Sequence, residues 1–389
     1  MCQELSQLGL WNLLKILILQ RKLEHYRLSV FRALSRRNSI NLTVAFPHLH
    51  QDGQYKRDSI QDFHTAELRV LNLKVPFPSQ EFFVYTNWRN LLERIKPDAL
   101  IAEANPKVIN IRKIMNYSRS NGIRTIAWTK YDNSSKWPKS FIWRNLLSDW
   151  DHILCYGEQS RDGMVEMGIP ISKLSVAQNT VEIPHNDVDL ESVRNNASEV
   201  TSWMRPDDLP LVVSLGTLVK KKRFDEVIEA SASLMNNGTP FRLAVVGGGT
   251  EEEALKVHAQ KILNRFRIPP DRIVFVGRVP EGHDLIWLCA ADVTLMGGAV
   301  GLALNVSMGC GTATIIPDEK GSDAELLEHS VNGLRFRCGD QFDLQEKLKT
   351  LLTDATLRKE LGKKARITIL EKATIQKMVD GFIEAAIMN

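Results

Sequence analysis

Apolar residues in this chain fall into short blocks separated by longer stretches with helical spacing. Leu14–Leu19, Asn41–Phe46, Leu68–Leu73, Ala99–Ala102, Arg124–Trp128 and His152–Cys155 read as strands. Between them, Lys22–Arg37 repeats apolar positions at Leu23, Tyr26, Leu28, Val30, Phe31 and Leu34, the spacing of a helix face. Glu81–Ile95, Val108–Ser120, Ser140–Leu147 and Glu158–Met167 carry the same signature, whereas Gln51–His64 is polar, has no period and reads as a loop. Strands that alternate with helices and are apolar on both faces predict a parallel sheet covered on both sides.

The pattern then breaks and restarts. Pro184–Pro206 is rich in Asn, Asp and Ser and reads as a linker. Beyond it come the strands Leu211–Leu215, Phe241–Val246, Asp271–Gly277 and Asp292–Met296, with helices over Glu251–Phe266 and Leu302–Met308. Gly309 and Gly311 are expected to stop the latter helix, and Ile375–Ala386 is amphipathic. The predicted organisation is an α/β domain over 1–183, a linker over 184–209, a second α/β domain over 210–370 and a closing helix within 371–389.

A chain of 389 residues with 43% hydrophobic content can bury two cores. The net charge of +4 is too small and scattered to point to nucleic acid. Its positive excess lies in the first half, which suits a solvated surface, an anionic membrane or an acidic binding partner. Five cysteines without paired spacing predict neither a disulfide framework nor a zinc site, and a reducing compartment follows. His48 and His50, with His64 nearby, lack the partners of a metal set, so no metal is expected. Leu8–Leu19 is interrupted by Lys15 and followed by Arg21 and Lys22, which is not a cleavable leader. No apolar run is long enough to span a bilayer.

Candidate chemistry concentrates where strands run into small-residue turns. Asp292–Met296 delivers Gly297-Gly298-Ala299-Val300-Gly301 into the helix that starts at Leu302. Outward-pointing N–H groups and the helix dipole there favour phosphate, and small residues let a ligand approach the backbone. Leu211–Leu215 runs into Gly216-Thr217-Leu218-Val219 and the basic run Lys220-Lys221-Lys222-Arg223. Phe241–Val246 ends in Gly247-Gly248-Gly249. Each alone is weak, since a tight or solvated turn explains it equally well.

Together these residues resemble the family 4 (group 1) retaining glycosyltransferases. Gly301-Leu302, then Met308, Cys310, Gly311 and Thr312, match that family's donor-sugar motif. The family's paired glutamates fall on Gly298 and Val306, and Met296–Leu302 is closer to a branch lacking the first of them. Gly216–Phe224 is similar to its Gly-Arg-Leu-x-x-x-Lys-Gly-Phe segment, with Lys222 on the diphosphate-binding lysine and Thr217 in place of the arginine. Lys220, Lys221 or Arg223 would then supply the missing charge. Asp271–Gly277 with Arg278 and Val279 falls where the family holds the nucleotide base, and Glu325 falls on its downstream glutamate. The resemblance is weakest over 1–150, where no Gly-Gly loop follows the first strand and Trp128-Thr129-Lys130 replaces a histidine segment.

The resemblance implies the GT-B fold, two doubly wound Rossmann-like domains facing across a cleft, with a final helix crossing back onto the first. It implies transfer of a sugar from a nucleotide-sugar donor to a hydroxyl of a glycan, lipid-linked sugar or small molecule, with retention and no fixed metal. Lys222 and Glu325 become the catalytic candidates. Gly216, Thr217, Lys221, Lys222, Gly247, Gly248, Arg278, Val279, Gly298, Ala299, Val300, Gly301 and Leu302 become the donor site. Arg21, Glu103 and Lys130 stand on the acceptor side. Two other readings are a GT-B nucleotide-sugar epimerase and a non-catalytic sugar-nucleotide-binding relative, the latter on account of Gly298, Val306 and Thr217. The cytoplasm is the expected compartment. Trp137–Leu147, with Trp150 beyond, joins aromatic and basic residues. It reads as a helix packed on the first sheet, or as a peripheral membrane contact through Trp137, Phe141, Trp143, Lys136, Lys139 and Arg144.

Overall fold

A computed structural model describes residues 13–47, 60–75, 80–131, 139–319, 321 and 324–388. In chain order they form β1 (Leu14–Leu19), α1 (Leu28–Ser35), β2 (Ile40–Phe46), β3 (His64–Glu67), β4 (Val70–Val75), β5 (Gln80–Tyr85), α2 (Trp88–Ile95), β6 (Ala99–Ala102) and α3 (Ile111–Ser120). Then follow β7 (Arg124–Thr129), α4 (Lys139–Leu147), β8 (His152–Cys155), α5 (Glu158–Glu166), β9 (Leu174–Val176) and α6 (Asp187–Val200). The next part comprises β10 (Leu211–Leu215), α7 (Phe224–Asn236), β11 (Arg242–Val246), α8 (Glu252–Phe266), β12 (Ile273–Gly277), α9 (His283–Ala290), β13 (Val293–Leu295) and α10 (Ala303–Gly309). The remainder is β14 (Ala313–Pro317), β15 (Leu334–Phe336), α11 (Gln341–Thr353), α12 (Ala355–Lys372) and α13 (Ile375–Ile387).

The chain divides into two units: Met1–Asn179 with Ile375–Asn389, and Thr180–Thr374. The first holds a parallel sheet of order β3-β2-β1-β6-β7-β8-β9, the second a parallel sheet of order β12-β11-β10-β13-β14-β15. Both orders reverse once, between β1 and β6 and between β10 and β13. In open α/β sheets the crevice beyond the strands' carboxyl ends at such a reversal is where ligands bind.

Burial on both faces explains the unbroken apolar strands. In β1, Ile16 and Ile18 enter one core with Phe31 of α1 and Phe382 of α13, while Leu17 and Leu19 enter the other with Leu91 of α2 and Ile114 of α3. The Phe382 ring stands edge-on to Trp128 at 4.8 Å. Helix α13, amphipathic in sequence and expected from the resemblance to cross back, thus completes the first unit. In the second unit one core gathers Val212, Leu243, Val245, Val293, Leu295 and Ile315 beneath α7, α8 and α11.

Four sequence readings need correction. Glu81–Ile95 is not one helix: its first part is the strand β5, paired antiparallel with β4 to make a two-stranded hairpin. Phe82-Phe83-Val84-Tyr85 is a β-prone run, and helical spacing holds only from Trp88 onward. Pro184–Pro206, read as a linker, contains the 14-residue helix α6. Asn186 caps it by accepting from the Asp189 N–H at 2.8 Å, and Asp187 and Asp189 complement the dipole in its first turn. Only Leu190 and Ala197 of α6 are buried, so its polar face masked the period. Lys22–Arg37 becomes helical only at Leu28, after a 3₁₀ turn over His25–Arg27. Finally, Cys289 and Cys310 form a disulfide. Packing of α9 against α10 brings them together, which no local spacing could reveal.

His48, His50, Lys136 and Trp137 lie outside the described residues. Helix α4 buries Leu146 and Leu147 and half-buries Trp143, while Phe141 and Ile142 stay 58% and 51% exposed. No described helix is long and apolar enough to cross a membrane.

Candidate active site

The carboxyl edge of the second sheet is built by loops that interlock through their backbones. After β10, Gly216 leads through Thr217 into a 3₁₀ turn, Lys220–Lys222. Arg223 then takes the left-handed conformation (φ 51°) at the start of α7. The loop after β11 lies against this segment: Leu218 N–H donates to the Gly248 carbonyl at 3.1 Å, and Glu251 N–H to the Leu218 carbonyl at 3.0 Å. A Cβ on Gly247 would collide with the Gly216 carbonyl, and one on Gly249 with that of Leu218. Glycine at 247, whose φ is 134°, is required twice over.

The turn after β13 closes the site from the other side. Ala299 N–H donates to the Lys221 carbonyl at 3.0 Å, and a Cβ on Gly298 would strike that same oxygen. The position where the resembling family carries its first glutamate therefore has no room for a side chain on this backbone. Val306, at the second glutamate's position, is buried in α10. Lys222 Nζ donates to the Val300 carbonyl at 2.9 Å and lies 3.7 Å from a Cβ built on either Gly216 or Gly301. The ammonium is thus held at the strand reversal between two glycines. Ala299 N–H, expected to face phosphate, instead secures the loop. Val300, Gly301 and Leu302 N–H groups have no acceptor among the described residues, and they remain the donors an anion could use.

Of the remaining basic run, Lys220, Lys221 and Thr217 are exposed at this edge. Arg223 turns away, its Nη1 donating to Cys338 Sγ at 2.7 Å and lying 3.5 Å from Glu226. It does not replace the missing arginine. Arg278 is exposed after β12 and lies across Gly248, with Val279 half-buried behind it. Glu252 at the start of α8 faces the same glycine. Its carboxyl is held below the usual range by Lys256 first, with Arg278 contributing. Glu325 lies half-buried in the β14–β15 connection, next to Ala324, whose carbonyl accepts from Arg335 Nη2 at 2.6 Å.

The first sheet's reversal is lined by side chains instead. Arg21 follows β1 and Glu103 follows β6, and Arg21 Nε stands 3.9 Å from Glu103 Oε2. The guanidinium lies over the Phe83 ring at 4.4 Å, and Glu103 accepts from Asn105 Nδ2 at 2.8 Å. Below them Tyr85 is buried with its hydroxyl unpartnered. Burial, then the Glu103 charge, pushes that phenol well above its ordinary range. Lys130 follows β7, the next strand along, and is half-buried. The structure thus joins Arg21 to Glu103 directly, and Lys130 stands one strand further on.

Sequence reasoning missed Arg27. It sits in the 3₁₀ turn after β1 and is only 4% exposed. Its guanidinium lies over the rings of Trp128 (4.2 Å), Tyr26 (5.1 Å) and Tyr156 (5.2 Å). No carboxylate pairs with it among the described residues, and its Nη1 has no hydrogen-bond partner. Desolvating a guanidinium costs several kcal/mol, and cation–π contacts return about 1–2 kcal/mol each. The pattern placed Leu23, Tyr26 and Leu28 on a helix face, and nothing local marked the arginine between them.

Comparison with known proteins sets this geometry in its class. The fold is GT-B: the chain superposes on Anabaena Alr3699/HepE in complex with UDP at a TM-score of 0.71, over 95% of this chain and 98% of that one, with 15% identity. A glycosyltransferase from Rickettsia africae superposes at 0.72 over 97% and 98%, with 12% identity. Within that fold, residues 197–368 match the family described as glycosyl transferases group 1. The chain is 26% identical over 247 residues to a GDP-mannose-dependent alpha-(1-6)-phosphatidylinositol dimannoside mannosyltransferase of Mycobacterium tuberculosis. It is 22% identical over 245 residues to N-acetyl-alpha-D-glucosaminyl L-malate synthase of Bacillus anthracis. These matches span 59% and 62% of the relatives' own lengths, and 59% and 58% of this chain.

Proposed function

We propose that this chain is a glycosyltransferase that moves a sugar from a nucleotide-sugar donor to an acceptor hydroxyl. The observation that carries the reading is Lys222 Nζ, fixed at the Val300 carbonyl between Gly216 and Gly301 at the reversal of the second sheet. A diphosphate leaving group gains negative charge as the glycosidic bond breaks. A positioned ammonium with backbone N–H groups stabilises that charge most where it develops. Lys222 therefore serves the leaving phosphates together with the N–H groups of Val300, Gly301 and Leu302, while Lys221 adds charge at the rim. Gly247, Gly248, Arg278 and Val279 receive the nucleotide, and Glu325 is a secondary candidate at the sugar.

The resemblance to family 4 supports retention, with the acceptor hydroxyl attacking from the leaving-group side. Arg21, Glu103 and Lys130 then orient the acceptor from the first unit. The relatives' names give acceptors as different as a phosphatidylinositol dimannoside and L-malate, so the acceptor is chosen by the first unit's own side chains. The reading extends to peripheral contact with an anionic membrane, supported by Phe141 and Ile142 exposed beside Arg144 on α4; the Cys289–Cys310 disulfide removes cysteine usage as an argument for a cytoplasmic compartment.

A second reading, a sugar-nucleotide-binding protein without transfer, draws on Gly298 and Val306. One experiment separates them. A thermal-shift panel of nucleotide sugars, followed by turnover with the stabilising donor, should show binding and sugar transfer in the wild type. Binding without consumption of donor under any acceptor mixture would favour the second reading. A released epimer with no acceptor would mark an epimerase.

A further inference from the structure

We propose that Arg27 and Trp128 form an oxyanion site that holds a phosphate or carboxylate group of the acceptor. Arg27 and Trp128 are 4% and 1% exposed, and Arg27 Nη1 and Trp128 Nε1 are both buried donors without a partner. The two donors belong to side chains in direct contact, the guanidinium carbon lying 4.2 Å over the Trp128 ring. Stacking uses the flat face of a guanidinium and leaves its N–H edge for a planar or tetrahedral oxyanion. The nearest acid in sequence, Glu24, is engaged with Lys22 at 3.3 Å.

The site's place favours a ligand over a packing accident. Arg27 follows β1, Trp128 is next to last in β7, and Tyr156 directly follows β8. All three sit at the carboxyl edge of the first sheet, where ligands bind in open α/β sheets. An apolar residue of similar volume would fill the same space without a desolvated charge. That cost is recovered when an anion arrives. The site itself stands on the geometry alone, and only the acceptor as the anion's carrier rests on the transferase reading.

The test uses the full chain, labelled with nitrogen-15 at tryptophan. The Trp128 indole signal is assigned by its loss in Trp128→Phe, a change that keeps the ring packing. Inorganic phosphate in one titration and acetate in another should each be tried at millimolar concentrations. The Trp128 signal should shift and saturate with at least one of them, and Arg27→Met should weaken that affinity about tenfold or more. In anion-free buffer Arg27→Met should melt at or above the wild-type temperature, because a structural arginine would instead be missed. A Trp128 signal that ignores both anions, equal affinity in Arg27→Met, or an anion-free melting point well below wild type would each overturn the site. The indole reports binding without donor or turnover. A chain inactive in every transfer assay but with a saturating Trp128 shift would therefore refute the transferase reading while keeping the site.

Discussion

The two sheets reverse their strand order in the same way and prepare the two crevices by opposite means. At β10/β13 the loops are pressed backbone to backbone at Gly247, Gly249 and Gly298, and one ammonium, Lys222, is set between Gly216 and Gly301. At the carboxyl edge of the first sheet, side chains take that place: Arg21, Phe83, Tyr85 and Glu103 toward one face, and Arg27 with Trp128 toward the other. A backbone surface recognises what many ligands share and tolerates little change. A side-chain surface recognises what differs between ligands and can be altered one residue at a time. This contrast explains why the family resemblance is dense over the second unit and thin over residues 1–150.

The contrast can be broken in order of expected effect. Gly298→Glu restores the family's glutamate at a position where the Lys221 carbonyl leaves no room. It should cost roughly 3 kcal/mol or more, or displace the whole turn, with donor binding lost. A folded Gly298→Glu variant with tighter donor binding by calorimetry would show that the loops are not locked. Lys222→Ala keeps the glycine-locked backbone and removes the ammonium with its hydrogen bond to the Val300 carbonyl. Transfer should fall roughly a hundredfold or more with the melting temperature little changed. Turnover close to wild type would remove Lys222 from the mechanism.

His152 offers a control on the opposite, amino-terminal edge of the first sheet. Burial, with Arg124 nearby, pushes its imidazole down to about 4, and it shares a hydrogen bond with Ser175 at 2.8 Å. The unfolded chain takes up that proton near 6.5 and the folded one only near 4. Stability is therefore full above pH 6.5 and is lost as pH falls towards 4, by roughly 1–3 kcal/mol. Urea melts across that range should show the slope in the wild type and a shallower one in His152→Gln. The smallest effect belongs to Glu103→Gln, which frees Arg21 without emptying the crevice. The KM for acceptor should rise about three- to tenfold while that for donor holds. A change confined to the donor KM would place Glu103 on the wrong substrate.

The sequence showed the second crevice more fully than the first, for a physical reason. Strand, glycine turn and helix are local, so Gly297–Leu302 and Gly216–Lys222 could be read before any fold was known. What could not be read depends on distant packing. Ala299 N–H is consumed by Lys221, Arg223 is drawn to Cys338, and Cys289 meets Cys310 only when α9 and α10 pack. Arg27 belongs to the same class, since its burial comes from Trp128 and Tyr156, more than a hundred residues away in sequence. The α6 cap at Asn186 was legible and was outweighed by polar composition.

Helix α13 carries one more consequence. Its Ile375, Met378, Val379 and Phe382 supply part of the core that covers β1, β7 and α1, yet all of Thr180–Thr374 comes before it on the ribosome. At roughly 5–20 residues per second, the first sheet spends about 10–40 s of synthesis with that face covered by α1 but not by α13. The order of translation thus opposes the usual N-terminal-first assembly. Nascent chains arrested before Ile375 should be the species that chaperones capture and proteases cut, while the second unit, contiguous in sequence, folds without waiting.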